Sequence, residues 1–247
     1  MSDLYADFAE RYDLAYDSFD QDDPQMTEFF RKLFAENQVC RVLDCACGTG
    51  RHLPMLHTLG MDVSGSDVSP AMLEQARKKL TGRSLAILLQ QADFRDLPQH
   101  FNLPFDAVLC LAAIGYMPDE KELLQAFGSM RGILRDGGIL ILTSMPTDKQ
   151  WNEKTRFILA ANTQAVSRLF VVDYFVRTAR YNVLDIFHDE SVNELEVWSA
   201  ELSVYLKAKQ ERLLKEAGFQ GIAFYESYDF RPYNLKSSDL LIAVART

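Results

Sequence analysis

The sequence predicts an α/β fold, doubly wound about a mostly parallel sheet, and three observations predict it. Between Arg41 and Thr143 short apolar runs alternate with amphipathic stretches, as in a parallel sheet with crossover helices. The first run, Val42-Leu43, leads into a glycine-rich turn, Asp44-Cys45-Ala46-Cys47-Gly48-Thr49-Gly50-Arg51. A strand, a tight glycine turn and a helix make a nucleotide-type pocket at the carboxyl end of a parallel strand. From Met145 to about Leu206 the alternation stops, and Phe, Val, Tyr and Ile crowd together as in antiparallel strands. A chain of 247 residues holds one such domain with an ample core.

The elements follow in order. Residues 1–38 read as helical. Leu4, Tyr5, Phe8, Tyr12 and Ala15 recur near helical spacing. After a polar break, Asp20-Gln21-Asp22-Asp23, Pro24 suits the first turn of a second helix carrying Met26, Phe29, Phe30, Leu33 and Phe34. Strands are expected at 40–45, 61–66, 86–91, 105–111 and 138–144. Ser69-Pro70 starts a helix over 70–80, and Pro118-Asp119-Glu120 starts another running to about Leu134, where Gly137-Gly138 closes the connection. Residues 145–206 read as a β-rich insertion, with Ser167–Phe187 and Leu195–Leu206 as strands and Asn182 and Asp189-Glu190-Ser191 as punctuation. Insertions of this kind often cover a substrate pocket. A helix over 207–217 stops at Gly218, and strands at 221–228 and 239–245 finish the chain.

Composition narrows the partners. Lys and Arg number 26 against 35 Asp and Glu, a net charge of −9, which disfavours nucleic acid or an anionic membrane. No run approaches the roughly 20 apolar residues of a membrane helix, and Met1-Ser2-Asp3 is polar, unlike a signal peptide. Cys40, Cys45, Cys47 and Cys110 fall on or beside central strands, as reduced thiols of a cytoplasmic protein do. No second Cys/His pair stands at zinc spacing from Cys45 and Cys47, so no metal is expected.

The glycine turn has two features that separate it from a dinucleotide fingerprint. Leu53 sits where G-x-G-x-x-G carries its third glycine. Asp44 precedes the turn, and its carboxylate would repel a pyrophosphate but attract an ammonium. Asp67 follows at the end of the second strand, where ribose hydroxyls are usually held. An adenosine carrying an amino acid and no phosphate fits this pair better than NAD.

These residues carry a resemblance. Asp44-x-Ala46-x-Gly48-x-Gly50 resembles motif I, D-x-G-x-G-x-G, of the class I S-adenosylmethionine (SAM)-dependent methyltransferases, with Ala46 for the first glycine. Asp67-Val68-Ser69-Pro70-Ala71-Met72-Leu73 resembles the acidic loop and helix that follow. Ala92-Asp93-Phe94 resembles the adenine-contacting motif, Phe105–Leu111 the fourth strand, and Leu134–Leu140 the turn into the fifth. The resemblance implies a Rossmann-like seven-stranded sheet with its last strand antiparallel, and SAM as cofactor with S-adenosylhomocysteine as product. It implies cofactor contacts from Tyr12, Asp44, Ala46, Gly48, Gly50, Arg51, Asp67, Val68, Met72, Asp93, Phe94 and Leu111. Tyr12-Asp13 resembles the N-terminal segment that closes over SAM in many small-molecule methyltransferases, although Tyr5, Tyr12 and Tyr16 read equally as packing.

The expected acceptor is a small molecule methylated at nitrogen or oxygen, by a monomer or homodimer. Leu111-Ala112-Ala113-Ile114-Gly115-Tyr116-Met117 lacks the Asn-Pro-Pro-Tyr that serves poor nitrogen nucleophiles, which points to an aliphatic amine, a hydroxyl or a thiol. Tyr116 is the candidate catalytic contact. The chain is also similar to the glycine and sarcosine N-methyltransferases, through Val42–Arg51, the strand-rich insertion and Tyr228–Tyr233. Ala112-Ala113 and Ser144-Met145-Pro146 stand where that branch often has an Asn and an Arg, which points away from glycine itself. Arg156, Arg177 and Arg231 are candidates to hold an acidic substrate, while Arg168–Val176 and Trp198 suggest an aromatic, apolar cover. A SAM-binding sensor without catalysis is the second reading, and an NAD-dependent oxidoreductase the third.

Overall fold

The computed structural model describes residues 3–15, 23–102, 104–188 and 193–247. Tyr16, Asp20-Gln21-Asp22 and Asp189-Glu190-Ser191 lie outside those residues. The strands are β1 (Arg41–Asp44), β2 (Asp62–Asp67), β3 (Leu88–Gln91), β4 (Phe105–Leu111), β5 (Leu134–Ser144), β6 (Phe157–Asn162), β7 (Val166–Tyr174), β8 (Thr178–His188), β9 (Asn193–Ser203), β10 (Gln220–Tyr225) and β11 (Leu241–Arg246). The helices are α1 (Pro24–Glu36), α2 (Leu53–Thr58), α3 (Pro70–Gly82), α4 (Glu120–Gly132), α5 (Asp148–Glu153) and α6 (Lys207–Glu216).

Seven strands form one sheet in the order β10-β11-β5-β4-β1-β2-β3. The first five by sequence pair in parallel, and β11 runs antiparallel to both β5 and β10. Successive strand residues point to opposite faces, and both faces are buried. Leu43, Val108, Leu140 and Leu142 pack against Phe127 and Met130 of α4 and Leu213 and Leu214 of α6. Val42, Leu109, Ile139 and Ile141 pack against Phe29, Phe30 and Phe34 of α1, Leu56 of α2 and Leu73 of α3. That two-sided burial is why the strands read as continuous apolar runs.

The helix starts follow local chemistry. Ser69 caps α3 by accepting from Met72 N at 3.1 Å, with Pro70 in the first turn. Asp119 caps α4 by accepting from Glu122 N at 3.0 Å. Gly218, at φ +91°, ends the turn after α6.

Four expectations need correction. The segment 4–15 is a run of turns with a 3-10 turn at Tyr12–Ala15, so only α1 of the N-terminal region is an α-helix. Its spacing holds because its rings pack on the insertion, not because a helix forms. Gly137-Gly138 does not separate helix from strand. Leu134 pairs with Phe105 and Ile139 with Ala107, so residues 135–138 bulge out of β5. Asn182 lies inside β8, and donates to Val171 O and Asp173. The insertion also holds α5, begun by a reciprocal capping box between Thr147 and Gln150. Its strands form a separate antiparallel sheet in the order β6-β7-β8-β9.

Leu53 takes the place of a third loop glycine because a different glycine makes room for it. A Cβ on Gly65 in β2 would lie 2.9 Å from Leu89, 3.0 Å from Leu53 and 3.1 Å from Cys47. Gly65→Ala therefore overpacks the floor of the loop and should cost about 1–3 kcal/mol, read as a lower Tm. Gly128→Ala in α4, where an added Cβ meets nothing within 4 Å, should instead stabilise by up to about 1 kcal/mol.

Candidate active site

The loop after β1 leaves the sheet where β2 lies on one side and β4 on the other. Its path is pinned by Cys45 N donating to Leu109 O at 2.8 Å and Cys47 N donating to Ser66 O at 2.9 Å. Gly48 and Gly50 take φ of +54° and +79°, which a side chain would disfavour. Asp67, at the end of β2, accepts from Gly48 N at 2.8 Å and Ser69 N at 2.9 Å, tying the loop to the start of α3. Over the loop opens a cleft of about 320 Å³. Tyr12, Ala46, Gly48, Arg51 and Leu111 all line it, with His52, Thr143 and Tyr228.

Asp44 lies beneath this loop, 1% exposed. One carboxylate oxygen accepts from Ala46 N at 3.3 Å and the other has no hydrogen-bond partner. Burial pushes its carboxyl up to about 7, with the charge of Asp67 adding to the effect. His52 Nδ1 stands 3.9 Å away, and burial and Arg51 push that imidazole down to about 4, so it is neutral near pH 7. A buried carboxylate short of a partner is costly unless a cation meets it.

A second cavity of about 150 Å³ adjoins the first, and Tyr12 and Ala112 line both. Its walls are Phe8 from the N-terminal segment, Gly115 and Tyr116 after β4, and Phe170, Tyr181, Val183, Trp198 and Leu202 from the inner face of the second sheet. Arg168 is also in the wall, paired with Asp185. Tyr116 meets the hydroxyl of Tyr5, and burial pushes its phenol up to about 12. Tyr116 is therefore a neutral donor near pH 7, not a base. Ala112 sits at the junction with φ +54°, rare for a residue with a Cβ, held by its N–H donating to Thr143 O and Oγ1 at 3.0 Å each.

The comparisons with known proteins fit this geometry. Residues 42–138 match the family model described as "Methyltransferase domain". Glycine/sarcosine N-methyltransferase of Aphanothece halophytica is 30% identical over 224 residues, spanning 89% of this chain and 80% of that protein. The chain belongs to the class I SAM-dependent methyltransferases. A SAM-dependent methyltransferase from Clostridium acetobutylicum shares the fold, with a TM-score of 0.81 at 20% identity over 98% of each chain. A sugar N-methyltransferase from Streptoalloteichus superposes with a TM-score of 0.71 at 26% identity, over 96% of this chain and 93% of that one.

The methyltransferase distributes the other expected residues unevenly. Gly50 lies behind the loop, where its missing Cβ lets Ala76 of α3 approach. Met72 is buried in α3 and Val68 is exposed. Asp93 and Phe94 follow β3 outside both cavities. The Asp93 carboxylate is paired with Arg95, whose hydrogen bonds and charge outweigh burial and hold it below the usual carboxylate range; Arg95 also reaches Glu122 at 2.6 Å. Asp3 of the N-terminal segment accepts from Ser69 Oγ and Ala71 N beside Asp67. Arg156 and Arg231 pair with surface carboxylates and Arg177 is exposed, and none of the three lines either of these two cavities. Phe170 falls in the expected aromatic cover, whereas sequence reasoning missed Phe8, Tyr181, Val183 and Leu202; alternate-residue spacing along β8 and β9 carried the signal for the last three. No signal marked Ala112.

The sign of the pH dependence follows from Asp44. A folded carboxyl near 7, against an ordinary 3.8, binds a proton that the unfolded chain has lost. Stability from this group is present below about pH 4 and declines as pH rises towards 7. Asp44→Asn should therefore stabilise the ligand-free protein above pH 7, by about 1–3 kcal/mol. Its gain should shrink as pH falls to 5 in urea titrations.

Proposed function

We propose that this chain moves the SAM methyl group to a neutral amine nitrogen on a small molecule with a largely apolar body. The observation that carries the reading is the second cavity, which opens onto the cofactor cleft at Tyr12 and Ala112 and has neither carboxylate nor imidazole among its described lining. A neutral amine attacks with its own lone pair and takes up the positive charge, so no base is required while the bond forms. A hydroxyl would need one, and Tyr116 holds its proton. The apolar walls favour the uncharged amine over its ammonium form. The glycine/sarcosine and sugar N-methyltransferases to which the chain is similar support nitrogen.

The orphaned oxygen of Asp44 suits the cofactor's ammonium, and Arg51 suits its carboxylate. The backbone at Ala46, Gly48 and Gly50 would cradle the chain between them. Asp67 retains lone pairs for ribose hydroxyls, and Val68, Met72, Asp93, Phe94 and Leu111 would enclose the adenine. Bound there, SAM supplies an electrophilic methyl carbon on a sulfonium. The protein's contribution is alignment and exclusion of water, which can supply up to about 7–11 kcal/mol. In this reading the N-terminal segment is the lid of the cofactor cleft, and residues 145–206 cover the acceptor. The buried free thiols Cys45, Cys47 and Cys110 support a cytoplasmic location. The net charge of −9 supports an acceptor other than nucleic acid.

A homodimer is the better reading of assembly. Leu159, Leu169, Leu184 and Val197 lie in register across the outer face of the second sheet. Leu159 and Val197 are 65% and 57% exposed, beside Phe157 and Leu195. Strand spacing makes that face about 20 by 30 Å, so two copies face to face would bury about 1,200 Å², the lower edge of a stable interface. Light scattering should give the mass of a dimer, and Val197→Asp should give a monomer; a monomeric parent protein sinks this point.

The function is tested by incubating the protein with SAM and a panel of amino sugars, N-alkyl amines, glycine and matched alcohols. Released S-adenosylhomocysteine is measured by mass spectrometry. Turnover with amines and not with their alcohol counterparts is expected. Binding of S-adenosylhomocysteine by calorimetry without turnover of any amine would overturn the amine reading and favour a sensor.

A further inference from the structure

The geometry points to Arg168 and Asp185 as the positioning pair of the active site: they hold the backbone at Arg11 and Tyr12, and so hold Tyr12 where the two cavities meet. The inference rests on the reading of the second cavity as the acceptor site. The two residues face each other across β7 and β8 and are 2% and 0% exposed. Arg168 Nε donates to Asp185 Oδ1 at 2.6 Å and Nη2 to Oδ2 at 2.8 Å. The same guanidinium then leaves the sheet. Nη1 donates to Tyr12 O at 2.8 Å and Nη2 to Arg11 O at 2.7 Å.

Burying this pair does not follow from the needs of the sheet. Desolvating two charges costs several kcal/mol per ion, and an apolar pair of similar volume is often as stable or more so. The inner-face neighbours Phe170, Tyr181 and Val183 are such residues. What the ion pair provides and an apolar pair does not is a planar fork with donors left over for two carbonyls.

The grip is returned from the other side. Arg11 Nη1 donates to Asp185 Oδ2 at 2.7 Å, and its Nε lies 2.7 Å from Glu196. Phe8 stacks on Trp198 with ring centres 4.4 Å apart. One residue beyond Tyr12, Asp13 accepts from Thr49 of the glycine loop at 2.9 Å and pairs with Lys79 of α3. Arg11-Tyr12-Asp13 is thus a strap with one end on the acceptor side and the other on the cofactor side. Its own hydrogen bonds are those of turns, so its course depends on these anchors.

The test replaces the pair by apolar residues in a Trp151→Phe background, where Trp198 is the remaining indole. The double variant R168M/D185L removes both fully buried charges, leaves Arg11 its pair with Glu196, and should keep its Tm within about 5 °C of the parent. Its kcat/KM for an amine should fall about 10–100-fold, as expected for loss of alignment without loss of fold. Its Trp198 emission should shift to the red as Phe8 leaves the ring. R168K keeps a cation for Asp185 but lacks the fork, and should recover less than half of the lost kcat/KM. A folded double variant with parental kcat/KM and parental emission overturns the proposal, and so does lost activity with parental emission. If the parent turns over no amine, the function proposed above fails, and the emission shift alone decides whether the pair docks the strap.

Discussion

The active site depends on the course of one loop, the eight residues between Asp44 and Leu53. Two amides of that loop are bonded to opposite neighbours, Cys45 to β4 and Cys47 to β2, so it must leave the sheet where the winding reverses. Helices on the two faces diverge at that point and leave a crevice at the strand ends. Gly48 and Gly50 let the backbone turn there, and Gly65 leaves space for Leu53 and Cys47 underneath. The same course buries Asp44 without a full set of partners, which makes its carboxyl weakly acidic and receptive to a cation. Packing, loop geometry and electrostatics therefore share one cause.

The second sheet adds what the first cannot. Its inner face brings Phe170, Tyr181, Val183 and Trp198 over the end of β4, against Tyr116. It is fastened there by Tyr205, which donates to Met117 O at 2.8 Å, and by Ser203, which donates to Pro118 O at 3.1 Å. The resulting walls are mostly apolar, and burial keeps the phenols of Tyr116 and Tyr181 protonated. Such a cavity suits a reaction whose nucleophile arrives ready to react. The chain's part is to hold two molecules in line and keep water away.

Between the two lies the N-terminal segment. It spends few of its hydrogen bonds on regular structure and many on its neighbours: Asp3 on α3, Asp13 on the glycine loop, Arg11 on Asp185, Trp198 on Leu4 O. Tyr12, suspended among these anchors, is shared by both cavities.

How much of this was legible depends on the range of the force concerned. The central sheet, the caps at Ser69 and Asp119 and the glycine turn could be read directly. Local periodicity and turn chemistry specify them, and both-sided burial left continuous apolar runs. The class of cofactor was legible too, because Asp44, Gly48, Gly50 and Asp67 fall within a single strand–loop–helix–strand unit. The segment 4–15 misled, since its spacing records which rings meet the second sheet and not a helix of its own. Asn182 reads as a turn residue by composition, yet its side chain satisfies Val171 and Asp173 within a strand. Arg168 could not be told from a surface arginine until Asp185, Arg11 and Tyr12 came together from 17 to 157 residues away. The sequence by itself determined the sheet, its glycine loop and the class of cofactor, which rest on contacts near in the chain. The tertiary structure alone decided the second cavity and the strap, because they exist only where three distant segments meet.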